Sequence, residues 1–389
     1  MLRKITITWI ILILNGCSVV SRDMVESPEG FKPLDGRELY RFTNSRELVS
    51  SISDQSKETA HIKADHNNEL HHLSISGGGS DGAYAAAIMS GWPKDERPTF
   101  ASVSGVSTGA IIGVFAFLGE EYDDHMIDLY TNADIGDLFR MRSILRIFPA
   151  QSVFDTSPFE GKVRDFLTPE VIKEIGVERE KGRMLLLGTV NLDSQQFVIW
   201  DLGKIAQYGT DESDKLVQDI VIASSSIPGA FPAKYLPVSD VDGQTHLEMH
   251  VDGGVGRQVF SISQWMDLPS FYPSYRHILY VINNGRLKPT YQLTPSSLRS
   301  IAPRSIDTLL MSQSAGDVES IYRYAKEHGV VFKLTYIGDD FGSDKPSEII
   351  NRKYMNELFD YGLDKYRTNT VWEDSPPSIL DTISFSEAE

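Results

Sequence analysis

The chain has 389 residues, enough for one large domain or two ordinary ones, and 41% of them are hydrophobic, which excludes a globally disordered protein. Lys and Arg number 37 against 54 Asp and Glu, a formal net charge of −17. That balance argues against nucleic acid as the main partner, because phosphate binding needs clustered positive charge.

Taken in chain order, the sequence opens with MLRKITITWIILILNGCSVV. Arg3 and Lys4 precede an apolar run from Ile5 to Leu14, then the box Leu14-Asn15-Gly16-Cys17. The run falls short of the roughly 20 residues that span a bilayer but suits the apolar region of an export signal. Cys17 is the only cysteine, so it forms no intramolecular disulfide. The box resembles the bacterial lipoprotein signal, which is cleaved before a lipidated cysteine, although Asn15 stands where a small residue is usual. The resemblance implies a signal peptide at 1–16, lipid attachment at Cys17, and an exported protein anchored to a bacterial membrane in the cell envelope. An ordinary signal peptide or an uncleaved anchor is the other reading.

From Ser18 to about Leu70 the chain is polar, with Pro28 and Pro33, so 17–70 is expected to be a tether or an N-terminal extension with a short helix near residues 45–52. His72 to Ser76 alternates polar and apolar and runs into glycines, as a strand entering a tight turn does. A helix is expected over residues 83–90, a strand over 100–104, and a buried helix over 110–118, which is apolar all round. Further strands are expected at 184–190, 197–200, 247–251, 278–282 and 330–337, and helices at 215–225, 306–328 and 347–366. The first two strands lie about one strand–helix–strand unit apart, which implies a parallel pair with a right-handed crossover. The fold class is therefore α/β, a three-layer α/β/α sandwich with a mainly parallel central sheet and its site at the carboxyl ends of the strands. A catalytic domain over 71–340 is followed, over 341–389, by a C-terminal helix and an acidic tail.

Three motifs carry chemistry. Gly105-Val106-Ser107-Thr108-Gly109 is a G-x-S-x-G between an expected strand and a buried helix, where a strained turn exposes the hydroxyl of Ser107. Gly105 and Gly109 let strand and helix approach closely. The competing reading is a plain glycine turn with a capping Ser or Thr. Gly77-Gly78-Gly79-Ser80-Asp81-Gly82 also follows a strand. A nucleotide-phosphate loop would want a lysine after the glycines, and none is there. Backbone amides of Gly77, Gly78, Gly79 and Gly82 are better placed to serve as an oxyanion hole. Asp252-Gly253-Gly254 alone reads as a turn, yet Ser107 needs a base, and Asp252 follows a plausible strand end.

The order GGGSDG, GVSTG, ASSSIPGAFP (Ala223 to Pro232) and DGG resembles the patatin-like phospholipase family, over roughly Leu73 to Val255. A family-like continuation runs through RSIDTLLMSQSAGD (Arg304 to Asp317) to about Ile337. The resemblance implies a lipid acyl hydrolase with a Ser–Asp dyad: Ser107 as nucleophile, Asp252 as base, the glycine loop as oxyanion hole, and a membrane phospholipid or other acyl lipid as substrate. One departure is Asp81, where many members carry Arg or Lys before the last glycine of the loop. A Ser-Asp-His triad would need a histidine beyond Asp252, and only His277 and His328 lie there. His277 is expected at the surface ahead of a strand, and His328 at a helix end. No metal or cofactor is expected, since the histidines lack ligand spacing and there is no cysteine cluster. Acyl transfer by the same dyad, or a non-catalytic lipid-binding envelope protein, are the alternatives.

Overall fold

The computed structural model describes residues 40–49, 64–132, 138–143, 152–239, 245–343, 346 and 350–377. The expected signal peptide, Cys17 and the end of the acidic tail lie outside the described residues. In chain order the strands are β1 (Arg41–Phe42), β2 (Glu69–Ile75), β3 (Phe100–Val106), β4 (Arg140–Met141), β5 (Phe154–Asp155), β6 (Met184–Asn191), β7 (Gln196–Asp201), β8 (Lys234–Ser239), β9 (Thr245–Asp252), β10 (Arg276–Asn283) and β11 (Val331–Tyr336). The helices are α1 (Gly82–Gly91), α2 (Thr108–Leu118), α3 (Asp123–Thr131), α4 (Ser157–Phe166), α5 (Pro169–Glu180), α6 (Leu202–Ala206), α7 (Asp211–Ser224), α8 (Leu268–Phe271), α9 (Leu298–Glu327) and α10 (Arg352–Arg367).

The middle layer is a mixed sheet in the order β1-β7-β6-β3-β2-β10-β11, with β9 paired to β6 and β8 to β9. Strands β6, β3, β2, β10 and β11 are parallel neighbours, while β1, β7, β8 and β9 join antiparallel. Side chains alternate between the two faces. On one face Leu73, Ile75, Val103, Leu185 and Leu187 join a core built with α1, α2, α5, α7 and α10. On the other, Val106, Met184 and Leu186 meet Phe260 and Ile262, and Leu279 and Val281 meet Val318 and Ile321 of α9. Helices on both faces make three layers, as the alternating pattern implied. A polar residue inside that second face finds its partner: Ser104 Oγ donates to the Phe260 carbonyl at 2.6 Å.

Several boundaries differ from the sequence pattern, each for a local reason. α7 opens at Asp211 because Thr210 and Ser213 form a reciprocal capping box, whose polar residues an apolar count passes over. α9 opens at Leu298 and carries Pro303 inside it, although proline reads as a boundary. The carbonyl it frees belongs to exposed Arg299, where water can satisfy it. α10 starts at Arg352 behind an Asn351 cap. β8 was hidden by Pro237, which is tolerated because this strand pairs on one side only. Residues 40–49 pack on the sheet: β1 pairs with β7, and Tyr40, Phe42 and Leu48 are buried.

Candidate active site

Ser107 follows β3 directly and holds φ 56°, ψ −127°, a strained conformation for a residue with a side chain. The strand-to-helix turn is tight because Gly105 and Gly109 lack side chains. A Cβ on Gly105 would run into the backbone of Gly109, and one on Gly109 into the carbonyls of Ile75 and Ser76. Ser107 is the N-cap of α2 but its hydroxyl makes no capping bond. That removes the plain-cap reading and leaves Oγ available for other work.

Asp252 arrives by topology. β3 pairs with β6 as far as Val106 opposite Gly188, and β9 takes over the same edge with Asp252 opposite Thr189. Two strands running in opposite directions therefore end nose to nose, placing Asp252 beside Ser107. The Ser107 hydroxyl lies close enough to its carboxylate to lower its pKa. The Gly254 amide donates to Oδ1 at 2.7 Å. Burial pushes the carboxyl up to about 6, and the neighbouring Ser107 hydroxyl and the Gly254 amide moderate the rise.

The glycine loop passes over the same end of the sheet, but its amides are not equivalent. The Gly77 amide donates to the Gln258 carbonyl at 2.9 Å, and the Gly82 amide closes the short turn over Gly79–Asp81. Neither points to an oxyanion, which corrects the four-glycine expectation: the loop spends those donors on its own shape. Gly79, in the left-handed region at φ 62°, and Ser80 line the cleft and open that turn, where the first amides have no partner within it. Asp81 turns away from the cleft: its Oδ1 accepts from the Tyr354 hydroxyl of α10 at 2.9 Å.

Gln258, which the sequence did not single out, ties the glycine loop to the turn after Asp252. Its carbonyl holds Gly77 and its side-chain amide donates to the Gly254 carbonyl at 2.8 Å, while Asp317 of α9 accepts its backbone N–H at 2.8 Å. The serine triplet after α7 clamps both catalytic candidates. Ser224 Oγ accepts from the Ser107 amide at 3.0 Å and donates to the Gly188 carbonyl at 2.7 Å, and the Ser226 carbonyl accepts from the Asp252 amide at 2.9 Å. Its only trace in the sequence is the run SSS ahead of Pro228-Gly229.

Ser107 opens into a cleft continuous with solvent, walled by Ile111, Leu129, Leu138, Phe139, Phe159 and Phe231 among others. Neither candidate imidazole is there. His277, expected at the surface, is 2% exposed at the amino end of β10 and stacks on His72 with ring centroids 5.4 Å apart. Its burial follows from β10 being an interior strand. His328 ends α9, with Nδ1 3.0 Å from the Tyr324 carbonyl. Asp65, Glu69 and His71 bring potential ligand atoms within 4.8 Å, but around the amino end of β2, away from Ser107, with Glu69 already accepting from Arg276.

Two solved structures are similar to this chain. The crystal structure of VipD from Legionella pneumophila shares 10% identity with a TM-score of 0.36, over 77% of this chain and 67% of that one. Human GIVD cytosolic phospholipase A2 shares 10% identity with a TM-score of 0.32, over 86% of this chain and 64% of that one. No curated protein matches the sequence. Residues 73–260 match the family model described as patatin-like phospholipase, a span that holds the glycine loop, Ser107, the serine triplet and Asp252.

Proposed function

We propose that this protein is a serine lipid acyl hydrolase that cleaves carboxylic esters of acyl lipids through a Ser107–Asp252 dyad. The observation that carries the reading is the buried Asp252 carboxylate beside the Ser107 hydroxyl, which opens into an apolar cleft. The family model supports a lipid substrate. In the first step Ser107 Oγ attacks the ester carbonyl carbon as its proton passes to Asp252. Amides of Gly79 and Ser80 face the oxyanion, and the acyl chain lies along Phe139, Phe159 and Phe231. Collapse of the tetrahedral intermediate breaks the ester C–O bond, and Asp252 returns the proton to the leaving alcohol. Water then attacks the acyl-enzyme with Asp252 again as base, freeing the fatty acid and Ser107. An oxyanion donor of this kind is worth roughly 3–4 kcal/mol. We further propose that Cys17 carries a lipid anchor that holds the enzyme on a bacterial membrane. One acyl chain binds only marginally, so stable anchoring would take more than one.

The test is hydrolysis of a short-chain p-nitrophenyl ester by the wild type and by Ser107→Ala, Asp252→Asn, His277→Ala and His328→Ala, each checked for folding. The first two are expected to lose turnover and the histidine variants to keep it. Turnover that depends on either histidine as strongly as on Ser107 would make the base an imidazole and sink the dyad.

A further inference from the structure

Among the described residues, exposed large apolar side chains concentrate between β10 and the middle of α9. Tyr291 is 90% exposed, Leu293 81%, Leu298 82% and Leu309 69%, and Ile301, Ile306 and Leu310 are exposed too. Large apolar side chains gathered this closely mark an interaction surface rather than the scattered exposure any protein shows. Within α9 they are spaced as a stripe: Leu298, Ile301, Ala302, Ile306, Leu309 and Leu310 recur at helical intervals on one side. The second half of the helix is what holds it down, through buried Ser314, Asp317, Val318, Ile321 and Ala325. Ser314 Oγ donates to Asn283 Oδ1 at the carboxyl end of β10, the sheet end where Ser107 also lies. From that contact the helix runs back as much as roughly 24 Å to Leu298, at about 1.5 Å per residue.

Charge says what the arm meets. Residues 288–311 carry Lys288, Arg299 and Arg304 against a single acidic residue, Asp307, in a chain of net charge −17. A basic, apolar arm on an acidic protein is complementary to a surface that is both anionic and oily. No helix among the described residues is long and apolar enough to cross a membrane; an apolar, basic helix face is suited to lying in the interface.

We infer that residues 288–311 form the docking surface by which this protein sits on an anionic phospholipid bilayer, with the apolar stripe in the interface and the basic side chains at the headgroups. The inference rests on the lipid-hydrolase reading for its purpose. Docking there presents the carboxyl end of the sheet, and with it the cleft, to the membrane.

The experiment uses the full chain with Ser107→Ala, so that lipid is not consumed, and Cys17→Ser, so that an introduced cysteine is the only one. An environment-sensitive dye is attached at Leu309→Cys or, as a control in the anchored half of the helix, at exposed Arg323→Cys. On adding vesicles of phosphatidylglycerol and phosphatidylcholine, the label at 309 is expected to brighten several-fold with a blue shift, and the label at 323 to stay unchanged. Pure phosphatidylcholine and high salt should each weaken the response. In the active enzyme, combined Leu298→Ser, Ile301→Ser and Leu309→Ser should lower turnover of vesicle phospholipid at least about tenfold and leave the soluble ester untouched, a difference of about 1.4 kcal/mol at the interface alone. A silent 309 label with normal vesicle hydrolysis overturns the docking surface. So does a signal that follows protein concentration rather than lipid, with a dimer on gel filtration, because a second copy then covers the stripe. Failure of the soluble ester assay in the wild type would instead strike the hydrolase reading, while a lipid-dependent 309 signal would still stand.

Discussion

A carboxylate buried beside a serine costs stability when charged, and the same burial would make it a stronger base. Asp252 is pushed up to about 6 by burial, with the Ser107 hydroxyl and the Gly254 amide pulling against the rise. A base of that strength is half ionised near pH 6, so kcat/KM for a soluble ester is expected to climb through that region and level off above it. Because the folded protein holds this proton more tightly than the unfolded chain, the group favours folding below about pH 4 and loses that contribution as pH rises through about 6. The shift of about two pH units is worth about 3 kcal/mol. Asp252→Asn keeps an acceptor for Gly254 and removes the buried charge, so its Tm is expected to exceed the wild type by several degrees at pH 8 and to match it at pH 4. Equal differences at both pH values would mean that Asp252 is not ionised in the fold and cannot be the base. Ser107 was legible because its motif forces a backbone conformation, whereas Asp252 was legible only by asking what the serine lacked. Ser224 was legible only as part of the run SSS: it bonds the Ser107 amide across 117 residues, and no local pattern records that contact.

At the scale of elements, α10 reaches over the glycine loop through one hydrogen bond, from the Tyr354 hydroxyl to Asp81, while Asn284 holds the loop from its other side by donating to the Ser76 carbonyl and accepting from the Ala85 amide. If the turn over Gly79 and Ser80 holds the oxyanion, loosening its clamp should cost the transition state more than the ground state. Tyr354→Phe is expected to lower kcat about tenfold, or about 1.4 kcal/mol, with KM nearly constant. Asp81→Asn, which keeps the acceptor, should retain most of the activity. A rise in KM alone would make Tyr354 a wall of the cleft and nothing more. The loop as an element was readable from its glycines. Its orientation was not, because Asp81 in place of a basic residue acquires meaning only when α10, some 270 positions later, supplies a phenol. The same limit explains α9, where Pro303 argued for a boundary that solvent exposure makes unnecessary. The parallel half of the sheet was legible from apolar alternation; β1 and β8 were not, one being two residues long and the other interrupted by proline.

Across the whole molecule, the antiparallel half of the sheet exists to deliver β9, and the chain's own N-terminal region braces it. Arg41 of β1 donates to Glu248 at 2.6 Å, His250 Nε2 lies 3.0 Å from the same carboxylate oxygen, and His250 Nδ1 lies 2.9 Å from Thr189 Oγ1. Trp200 Nε1 donates to that same hydroxyl at 2.8 Å, and Thr189 is the register partner of Asp252. A polar relay thus runs from the first described strand to the residue opposite the catalytic candidate, with Tyr40 and Phe42 buried beside it. Within such a network, removing one partner costs more than removing two, because the remaining charge loses its counter-ion. Arg41→Met leaves Glu248 facing His250 alone and is expected to destabilise by about 3 kcal/mol, lowering Tm by several degrees. Adding Glu248→Gln should recover most of that loss, a coupling that a double-mutant cycle by thermal unfolding measures directly. If the two substitutions simply add, the segment ahead of β2 is packed against the sheet without bracing it. If they couple, residues 40–49, within the stretch read in sequence as a tether or N-terminal extension, are part of what holds Asp252 in line with Ser107.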